Sequence, residues 1–147
     1  MQTIHIVKRA LSAQEKEHIN SGFDNLSLEH GIALESTTPI SLVALHEDTL
    51  MGCATGLAHK NGAQFSGWFH LTDLFVDKAF RDQGIGSRLL KELEQTTKAV
   101  GVKNIWLWTS GAASIRFYNR HGYAQFAAMD NWYSDGSSRI GLRKTIA

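Results

Sequence analysis

The chain has 147 residues and a mass of 16.3 kDa, a size that suits one domain and excludes two of ordinary length. Hydrophobic residues make up 43% and aromatic residues 10%, so the chain can bury a large core and is not predominantly disordered. Fifteen Lys and Arg against fourteen Asp and Glu give a net charge of +1, which provides no strong field for nucleic acid, an anionic membrane or a polycationic partner.

The N-terminal quarter is predicted to contain one strand and one helix. Alternating hydrophobic residues over Gln2–Arg9 favour an opening strand. Ser12 followed by Glu15 has the spacing of a capping box, which predicts a helix that begins here and ends at Gly22. The stretch up to Thr38 has no clear period, so we expect a loop or a short helix there.

Three strands in a meander are predicted next. They cover Ile40–His46, Leu50–His59 and Phe65–Val76, with turns at 47–49 and 61–62. Gly52 and Gly56 interrupt the second strand, and glycines inside a strand often mark a bulge or the close approach of another backbone. We therefore expect an irregularity at this point.

The hydrophobic period changes after the meander. A repeat every three or four residues predicts an amphipathic helix over Ile85–Ala99, which Gly101 ends. The remaining elements are a strand over Asn104–Thr109, a helix over Ala112–Arg120 that ends at Gly122, and strands over Tyr123–Met129 and Arg139–Ile146. The succession of strand, helix and strand favours a right-handed parallel crossover. The predicted fold class is therefore α/β, with a mixed sheet and helices on its faces.

The single cysteine, Cys53, excludes an intrachain disulfide and favours a reducing compartment. It has no neighbouring base in the sequence and is not expected to act as a nucleophile. The chain lacks both a signal-peptide pattern and an apolar run of about 18 residues, so we expect a cytoplasmic protein. The seven histidines lack the spacing of a helix-borne metal pair, and no metal is expected.

A glycine-rich loop connects the third meander strand to the long helix, and its sequence is Arg81-Asp82-Gln83-Gly84-Ile85-Gly86-Ser87. Its two glycines allow the backbone to approach a ligand, and the first amides of a helix are unpaired donors at the positive end of its dipole. Arg81 adds a charge whose geometry suits phosphate oxygens. The loop lacks the lysine of a Walker motif and the third glycine of a dinucleotide-binding fingerprint. It predicts either another type of phosphate site or only a tight turn between strand and helix.

A second motif occupies residues 114–123, with the sequence Ser-Ile-Arg-Phe-Tyr-Asn-Arg-His-Gly-Tyr. This segment is similar to Ala-x-x-Phe-Tyr-x-x-x-Gly-Phe, and the Arg-x-x-Gly-x-Gly of the loop is similar to an acyl-CoA binding motif. Together they resemble the Gcn5-related N-acetyltransferases, the GNAT family. The order of the predicted elements matches too, so the resemblance covers essentially the whole chain. It implies a GNAT-like acyl-CoA N-acyltransferase fold over residues 1–147, with a mostly antiparallel mixed sheet and two splayed parallel strands.

The resemblance also implies where acetyl-CoA, the acyl donor, binds. In the family the pantetheine arm lies between the splayed strands and bonds to main-chain groups of the first strand, and the pyrophosphate lies on the amides of the loop. By position, the expected acyl-CoA contacts are Leu74, Phe75, Val76, Arg81, Asp82, Gln83, Gly84, Ile85, Gly86 and Ser87. The chain departs from the family at Ser114, where an alanine is common.

Acetyl transfer to an amine needs a base for the amine and an acid for the departing thiolate. Tyr118 matches the family's tyrosine and is the candidate acid, because a phenol with a pKa of about 10 can protonate a thiolate whose conjugate acid has a pKa of about 8.5. His70 and Asp73, on the strand before the loop, are the candidate bases. Strict alternation would place His70 on the face of Leu74 and Asp73 on the opposite face. For all three candidates a purely structural role is the alternative interpretation.

The leading functional hypothesis is an N-acetyltransferase that moves acetyl directly from acetyl-CoA to the primary amine of a small molecule in a ternary complex. The alternatives are a protein N-terminal or lysine acetyltransferase and a non-catalytic acyl-CoA-sensing module. Residues 22–25 and 131–133 are interpreted as loops that could contact the acceptor, whereas Trp106 and Trp108 are interpreted as core. No nucleic-acid or membrane partner is expected, and the sequence leaves the choice between monomer and homodimer open.

Overall fold

In a computed structural model the described residues, 2–147, form three α-helices, one short 3-10 helix and six β-strands. The helices are α1 (Ala13–Glu29), α2 (Ile85–Ala99) and α3 (Ala112–Arg120), and the 3-10 helix is Lys78–Phe80. The strands are β1 (Glu35–His46), β2 (Thr49–Asn61), β3 (Gln64–Val76), β4 (Asn104–Thr109), β5 (Ala124–Met129) and β6 (Arg139–Thr145). The chain divides into two units, residues 2–34 and 35–147, and the single domain stays a prediction. No helix within residues 2–147 is both long and apolar enough to cross a membrane.

The first unit contains α1, which begins where the sequence predicts. The Ser12 side chain accepts a hydrogen bond from the Glu15 amide (3.0 Å) and the Glu15 carboxylate accepts one from the Ser12 amide (2.9 Å), so the capping box is confirmed. The predicted end at Gly22 is wrong, because one glycine inside a helix costs only about 1 kcal/mol and α1 continues to Glu29. Gly31, with a φ of +74°, is the glycine that follows the last turn.

The predicted strand over Gln2–Arg9 is also wrong. Residues 2–12 contain neither helix nor strand, and Ile6 is 96% exposed. An alternating pattern becomes a strand only where a neighbouring strand supplies backbone hydrogen bonds, and residues 2–12 take part in no such ladder.

The second unit is built on a six-stranded sheet with the strand order β1-β2-β3-β4-β6-β5. All neighbouring strands are antiparallel except β3 and β4, which are parallel, as expected for a strand-helix-strand unit. The meander is present, and α2, β4 and α3 have the predicted boundaries. The mixed α/β fold class is therefore confirmed.

Strand β3 departs from strict alternation at Thr72. Residues 55 and 56 of β2 are adjacent, but their partners on β3 lie on either side of Thr72, which is the extra residue of a β-bulge. The bulge turns the following side chains over, so Leu74 packs against the buried core while His70 lies on the opposite face. The predicted common face of His70 and Leu74 is therefore wrong. A Cβ at Gly56 would clash with the His70 carbonyl oxygen, which confirms the predicted close approach of another backbone.

The core of the second unit lies on the side of the sheet that α2 covers, which we call the helix-covered face. Helix α2 packs across β1, β2 and β3, and the core is mainly aliphatic. Its buried members are Ala54, Ala58, Phe69, Leu71, Leu89, Leu90, Leu93, Val102, Ile105, Leu107, Tyr118, Tyr123 and Leu142.

Candidate active site

The two parallel strands separate after a short paired stretch. Strand β3 pairs with β4 only over Trp68–His70 and Asn104–Trp106, and a cavity of about 290 Å³ lies between the strands beyond that stretch. Among the residues that line it are Leu71, Asp73 and Leu74 of β3, Thr109 of β4, and Ser114 and Tyr118 of α3. We call this cavity the cleft. It corresponds to the splayed parallel strands that the family resemblance implies.

The backbone of β3 offers unpaired groups to the cleft. The Asp77 amide donates to the Met51 carbonyl (2.7 Å), and antiparallel strands bond at every second residue, so Phe75 bonds to β2. The amides and carbonyls of Leu74 and Val76 therefore point away from β2, on the side where β4 no longer pairs with β3. The Val76 carbonyl accepts a hydrogen bond from the Arg81 side chain, so the free groups are the amide and carbonyl of Leu74 and the amide of Val76. Of the three predicted main-chain contacts, Leu74 and Val76 have a suitable direction, while the backbone groups of Phe75 are turned toward β2.

The loop after β3 leads into a helix N-terminus with free amides. Gly84 is the N-cap of α2, has a φ of +76°, and has open space where a Cβ would lie. The first helical hydrogen bond runs from the Arg88 amide to the Gly84 carbonyl (3.1 Å), so the amides of residues 85–87 have no carbonyl partner within the helix. Gly86 differs, because a Cβ there would make an ordinary van der Waals contact with the Phe117 ring at 3.7 Å. Of the two glycines in the motif, only Gly84 has a backbone conformation that favours glycine.

Arg81 connects the loop to the end of β3. Its Nε donates to the Val76 carbonyl (3.1 Å), and this bond uses one of the five N–H donors of the guanidinium. Asp82 and Gln83 are exposed in the turn that follows, and Asp82 has a φ of +63°. The predicted phosphate loop is therefore a turn held by Arg81, with four further donors of that side chain able to meet an anion.

The structure contains a contact between α2 and α3 that the sequence does not predict. The Ser87 hydroxyl lies 2.9 Å from Nε2 of His121, the residue that caps the C-terminus of α3. The two residues are 34 positions apart, and no local pattern relates them. This hydrogen bond joins the first turn of α2 to the helix that carries Tyr118.

Tyr118 reaches the cleft from α3. Its side chain is buried, and its ring packs edge-on against Phe117 and Tyr123 with centroids 5.2 and 5.5 Å apart. Burial raises the pKa of the Tyr118 phenol to about 12. Its hydroxyl is therefore protonated at neutral pH, at a position that lines the cleft.

Of the two candidate bases, the structure brings Asp73 together with Tyr118. Both residues line the cleft, and a carboxylate oxygen of Asp73 accepts a hydrogen bond from the Thr72 hydroxyl (2.9 Å). Asp73 directly follows the bulge at Thr72, and the whole stretch of residues 71–75 lines the cleft.

His70, the other candidate base, lies on the face of β3 opposite that of Leu74. Its ring stacks on that of Trp106, with centroids 3.8 Å apart and planes at 10°. Burial, and then the positive charges of His59 and Arg139, lower the pKa of His70. Its imidazole is therefore neutral at pH 7 and able to accept a proton.

Two hydroxyl groups line the β4 side of the cleft. Thr109 and Ser114 share a hydrogen bond between their side-chain oxygens. In the sequence Ser114 stands out only as a departure from the alanine of the family motif. The structure shows that the departure adds a polar group opposite the free backbone groups of β3.

The interpretation of Trp106 and Trp108 as core residues is wrong. Along β4 the buried residues are Ile105 and Leu107, and the two tryptophans are half-buried on the other face. With Trp68 of β3 and Phe126 of β5 they form a cluster that we call the aromatic face, which consists of Trp68, Trp106, Trp108 and Phe126. Alternation alone identifies two faces of a strand but not which face the helices cover.

The two segments interpreted as acceptor loops differ. Residues 22–25 lie within α1, so their interpretation as a loop is wrong. Residues 131–133 follow β5, and the Trp132 ring lies 5.2 Å from the Arg139 guanidinium.

Comparison with known proteins gives a consistent result. A family model described as the acetyltransferase (GNAT) family matches residues 7–123. Acetyltransferase Atu2258 of Agrobacterium fabrum is 31% identical over 78 residues, which are 53% of this chain and 56% of that protein. The chain thus spans about half the length of this curated relative.

Solved structures share the fold. An acetyltransferase from Bacillus cereus matches with a TM-score of 0.77 and 24% identity, over 97% of each chain. An aminoglycoside 6'-N-acetyltransferase complexed with coenzyme A matches with a TM-score of 0.64 and 21% identity, over 74% of this chain and 73% of that one. At these identities the matches establish the architecture alone.

Proposed function

We propose, from the premise that the chain belongs to the GNAT family of acetyltransferases, that it transfers an acetyl group from acetyl-CoA to the primary amine of a small molecule. The observation that carries the proposal is the cleft between β3 and β4. It combines free backbone groups of β3 with the protonated hydroxyl of Tyr118, and the start of α2 lies near it, because Gly86 packs against Val76 of β3 and Phe117 of α3.

The residues present fit an acyl-CoA. The backbone amide and carbonyl of Leu74 and the amide of Val76 suit the amides of a pantetheine arm, and the hydroxyls of Thr109 and Ser114 offer partners on the other side of the cleft. The amides of residues 83–87 and the Arg81 guanidinium suit a pyrophosphate. A coenzyme A complex of a protein with this fold is further support.

When bound, acetyl-CoA supplies the acetyl group as a thioester. Tyr118 would donate a proton to the departing sulfur, and its pKa of about 12 means that the hydroxyl is protonated at the start of each turnover. The same raised pKa makes the phenol a weaker acid, so we expect the proton to move only as negative charge builds up on the sulfur.

The acceptor amine must lose a proton, and the two candidate bases would take it from different sides of the sheet. Asp73 would act from within the cleft, beside Tyr118. His70 would act from the aromatic face, where its neutral imidazole can take a proton directly or through a water molecule.

The transfer is proposed to be direct, without an acetylated enzyme. Cys53 lies on β2 opposite Phe75 and is not among the residues that line the cleft. We therefore expect Cys53→Ala to retain activity and the kinetics to be sequential. The proposed location is the cytoplasm, for which the single cysteine is the supporting observation.

The test is release of free coenzyme A from acetyl-CoA over a panel of amines, including a peptide N-terminus and a lysine peptide. Turnover with a small amine supports the proposal, and turnover with peptides alone replaces it by the protein acetyltransferase. Tight binding of coenzyme A without any turnover indicates the acyl-CoA-sensing module.

A binding measurement tests the loop separately. By calorimetry, Arg81→Gln should lower the affinity for coenzyme A about tenfold or more, because a charge-assisted hydrogen bond is lost. Lys98→Gln is the matched control, since it removes one exposed cation from the other end of α2. Equal affinities in the two variants would contradict the phosphate loop.

A further inference from the structure

The aromatic face forms an open cavity of about 380 Å³ on the side of the sheet opposite the core. Trp106 packs edge-on against Trp108 and Phe126 with ring centroids 6.0 and 6.4 Å apart, and Trp108 and Phe126 are 5.9 Å apart. Trp68 at the edge of this group is 37% exposed. Flat aromatic surfaces that stay accessible are suited to stacking with a planar ligand.

Gly141 of β6 lies beneath the Phe126 and Trp108 rings of the aromatic face. It pairs with Trp108 on one side and with Ala127 on the other. A Cβ at this position would lie 2.9 Å from the Phe126 ring and 3.0 Å from the Trp108 ring, so the missing side chain is what lets the two rings lie across β6. A larger residue at position 141 would therefore displace two rings of the aromatic face.

Two arginines give the aromatic face a positive charge. The Arg139 guanidinium lies between the Trp108 and Trp132 rings, at 5.1 and 5.2 Å from their centroids. Arg143, directly opposite Trp106 on β6, lines the cavity. Cation-π contacts of this kind hold a guanidinium in place while its edge still offers N–H donors.

Neither arginine takes part in a salt bridge among the described residues, and the Asp130 carboxylate instead accepts a hydrogen bond from Ser138, the chain neighbour of Arg139 (3.2 Å). The salt bridges within residues 2–147 are Arg9–Glu15 and Lys144–Glu94, and the described residues that line the cavity include no aspartate or glutamate. A site with two such arginines attracts an anionic group and repels a polycation.

The aromatic face is continuous with the cleft. Trp108 lines both the cavity and the cleft, and His70 stacks on Trp106 at the edge of the cavity. A molecule stacked on the aromatic face would therefore lie next to the place where the thioester is proposed to bind, with a neutral imidazole close by.

We propose that the aromatic face binds the acceptor, and that the acceptor is an amine that also carries an aromatic ring and a carboxylate. The role as an acceptor rests on the proposed acetyl transfer, whereas the binding of an aromatic carboxylate to this face does not depend on it. The ring stacks on Trp106 and Trp108, and the carboxylate meets Arg143 and Arg139. The positive charge also favours the neutral, nucleophilic form of the acceptor amine over the ammonium form.

The first experiment measures binding, in the absence of acetyl-CoA, with three matched probes: 3-phenylpropionate, 3-phenylpropanamide and 3-phenylpropylamine. They share one ring and one chain length and carry a negative, a neutral and a positive end. Tryptophan fluorescence of the full chain should show the carboxylate binding about tenfold or more tighter than the amide, and the amine binding weakest.

Variants test the assignment of the charges. Arg143→Gln and Arg139→Gln should each reduce the preference for 3-phenylpropionate over 3-phenylpropanamide, while Lys98→Gln should leave it unchanged. Arg139→Gln also removes the cation-π contacts with two tryptophan rings, so Arg143→Gln tests the charge with fewer side effects. Thermal unfolding checks that each variant is folded. Equal affinity for the three probes, or a preference that both arginine variants keep, overturns the proposal.

The second experiment compares turnover of phenylalanine, phenethylamine, alanine and spermidine with acetyl-CoA. We expect phenylalanine to have the highest kcat/KM and spermidine the lowest. A higher kcat/KM for spermidine or alanine overturns the inference while acetyl transfer stands. Selective binding of 3-phenylpropionate without turnover of any amine supports the anion-binding aromatic face and contradicts the proposed acetyl transfer.

Discussion

The two faces of the sheet are formed by the same strands but carry different side chains. Along β4, Leu107 is buried on the helix-covered face, and its neighbour Trp108 is half-exposed on the aromatic face. Along β6, Leu142 is buried on the first face and Arg143 is exposed on the second. Aliphatic side chains contribute through burial alone, whereas rings and guanidinium groups also offer stacking and charge.

Adjacent residues of one strand therefore have different roles: one side chain contributes to stability and the next is available for binding. The helix-covered face stabilises the second unit, and the aromatic face leaves its rings and cations accessible. The cleft lies where the two meet, because the parting of β3 and β4 opens a passage through the sheet.

The largest expected effect comes from a core residue of β4. Leu107→Ala should lower the free energy of unfolding by about 3 kcal/mol, since it leaves a cavity beside Ile105 and Leu142 in the aliphatic core. Trp108→Leu, one position along, should cost about 1 kcal/mol because that ring is only half-buried. Urea denaturation of the two variants measures the difference. An equal loss would contradict the statement that the helix-covered face, and not the aromatic face, stabilises the second unit.

A catalytic effect is expected from Tyr118, the polar group that the helix-covered face presents to the cleft. Tyr118→Phe keeps the ring and removes the hydroxyl, so kcat should fall roughly 10²-fold while the affinity for acetyl-CoA stays nearly unchanged. Steady-state kinetics and calorimetry provide the two values. A variant with full kcat would remove Tyr118 from the mechanism.

The pH profile distinguishes a base on the aromatic face from one in the cleft. Because burial, His59 and Arg139 lower the pKa of His70, protonation of this residue would make kcat/KM fall on the acidic side at a pH below 6.5. Arg139→Gln removes a positive charge and should move this limb upward, and His70→Gln should abolish it. Every variant is compared with the same amine, whose own titration then cancels. A limb that survives in His70→Gln and does not move in Arg139→Gln would make Asp73 or a water chain the better base.

The sequence predicts those parts of the fold that local rules determine. The boundaries of α2 and α3 follow from the helical period and from Gly101 and Gly122, which take a positive φ just beyond the helix ends. The glycine-rich loop is similarly local, since its conformation depends on Gly84 at the N-cap.

The parts that the sequence does not predict depend on distant partners. The bulge at Thr72 appears only in the register between β2 and β3, and it puts His70 and Leu74 on opposite faces of the sheet. The packing of α2 across the sheet determines which face of the sheet is covered, and therefore that Trp106 and Trp108 lie on the uncovered face. The contact between Ser87 and His121 likewise joins two helices that share no pattern.

The smallest expected effect concerns a polar exception on the helix-covered face. Among the described residues Thr97 is the buried polar one, and its hydroxyl donates to the Leu93 carbonyl (2.8 Å), one turn earlier in α2. Thr97→Val has the same shape, and the Leu93 carbonyl keeps its helical bond to the amide of residue 97, so no buried group loses its last partner. The free energy of unfolding should therefore change by less than about 1 kcal/mol, whereas Thr97→Ala should cost more because it also removes a packed methyl group. Urea denaturation of both variants measures this, and a loss of several kcal/mol in Thr97→Val would show that the helix-covered face depends on a polar contact as well as on aliphatic burial.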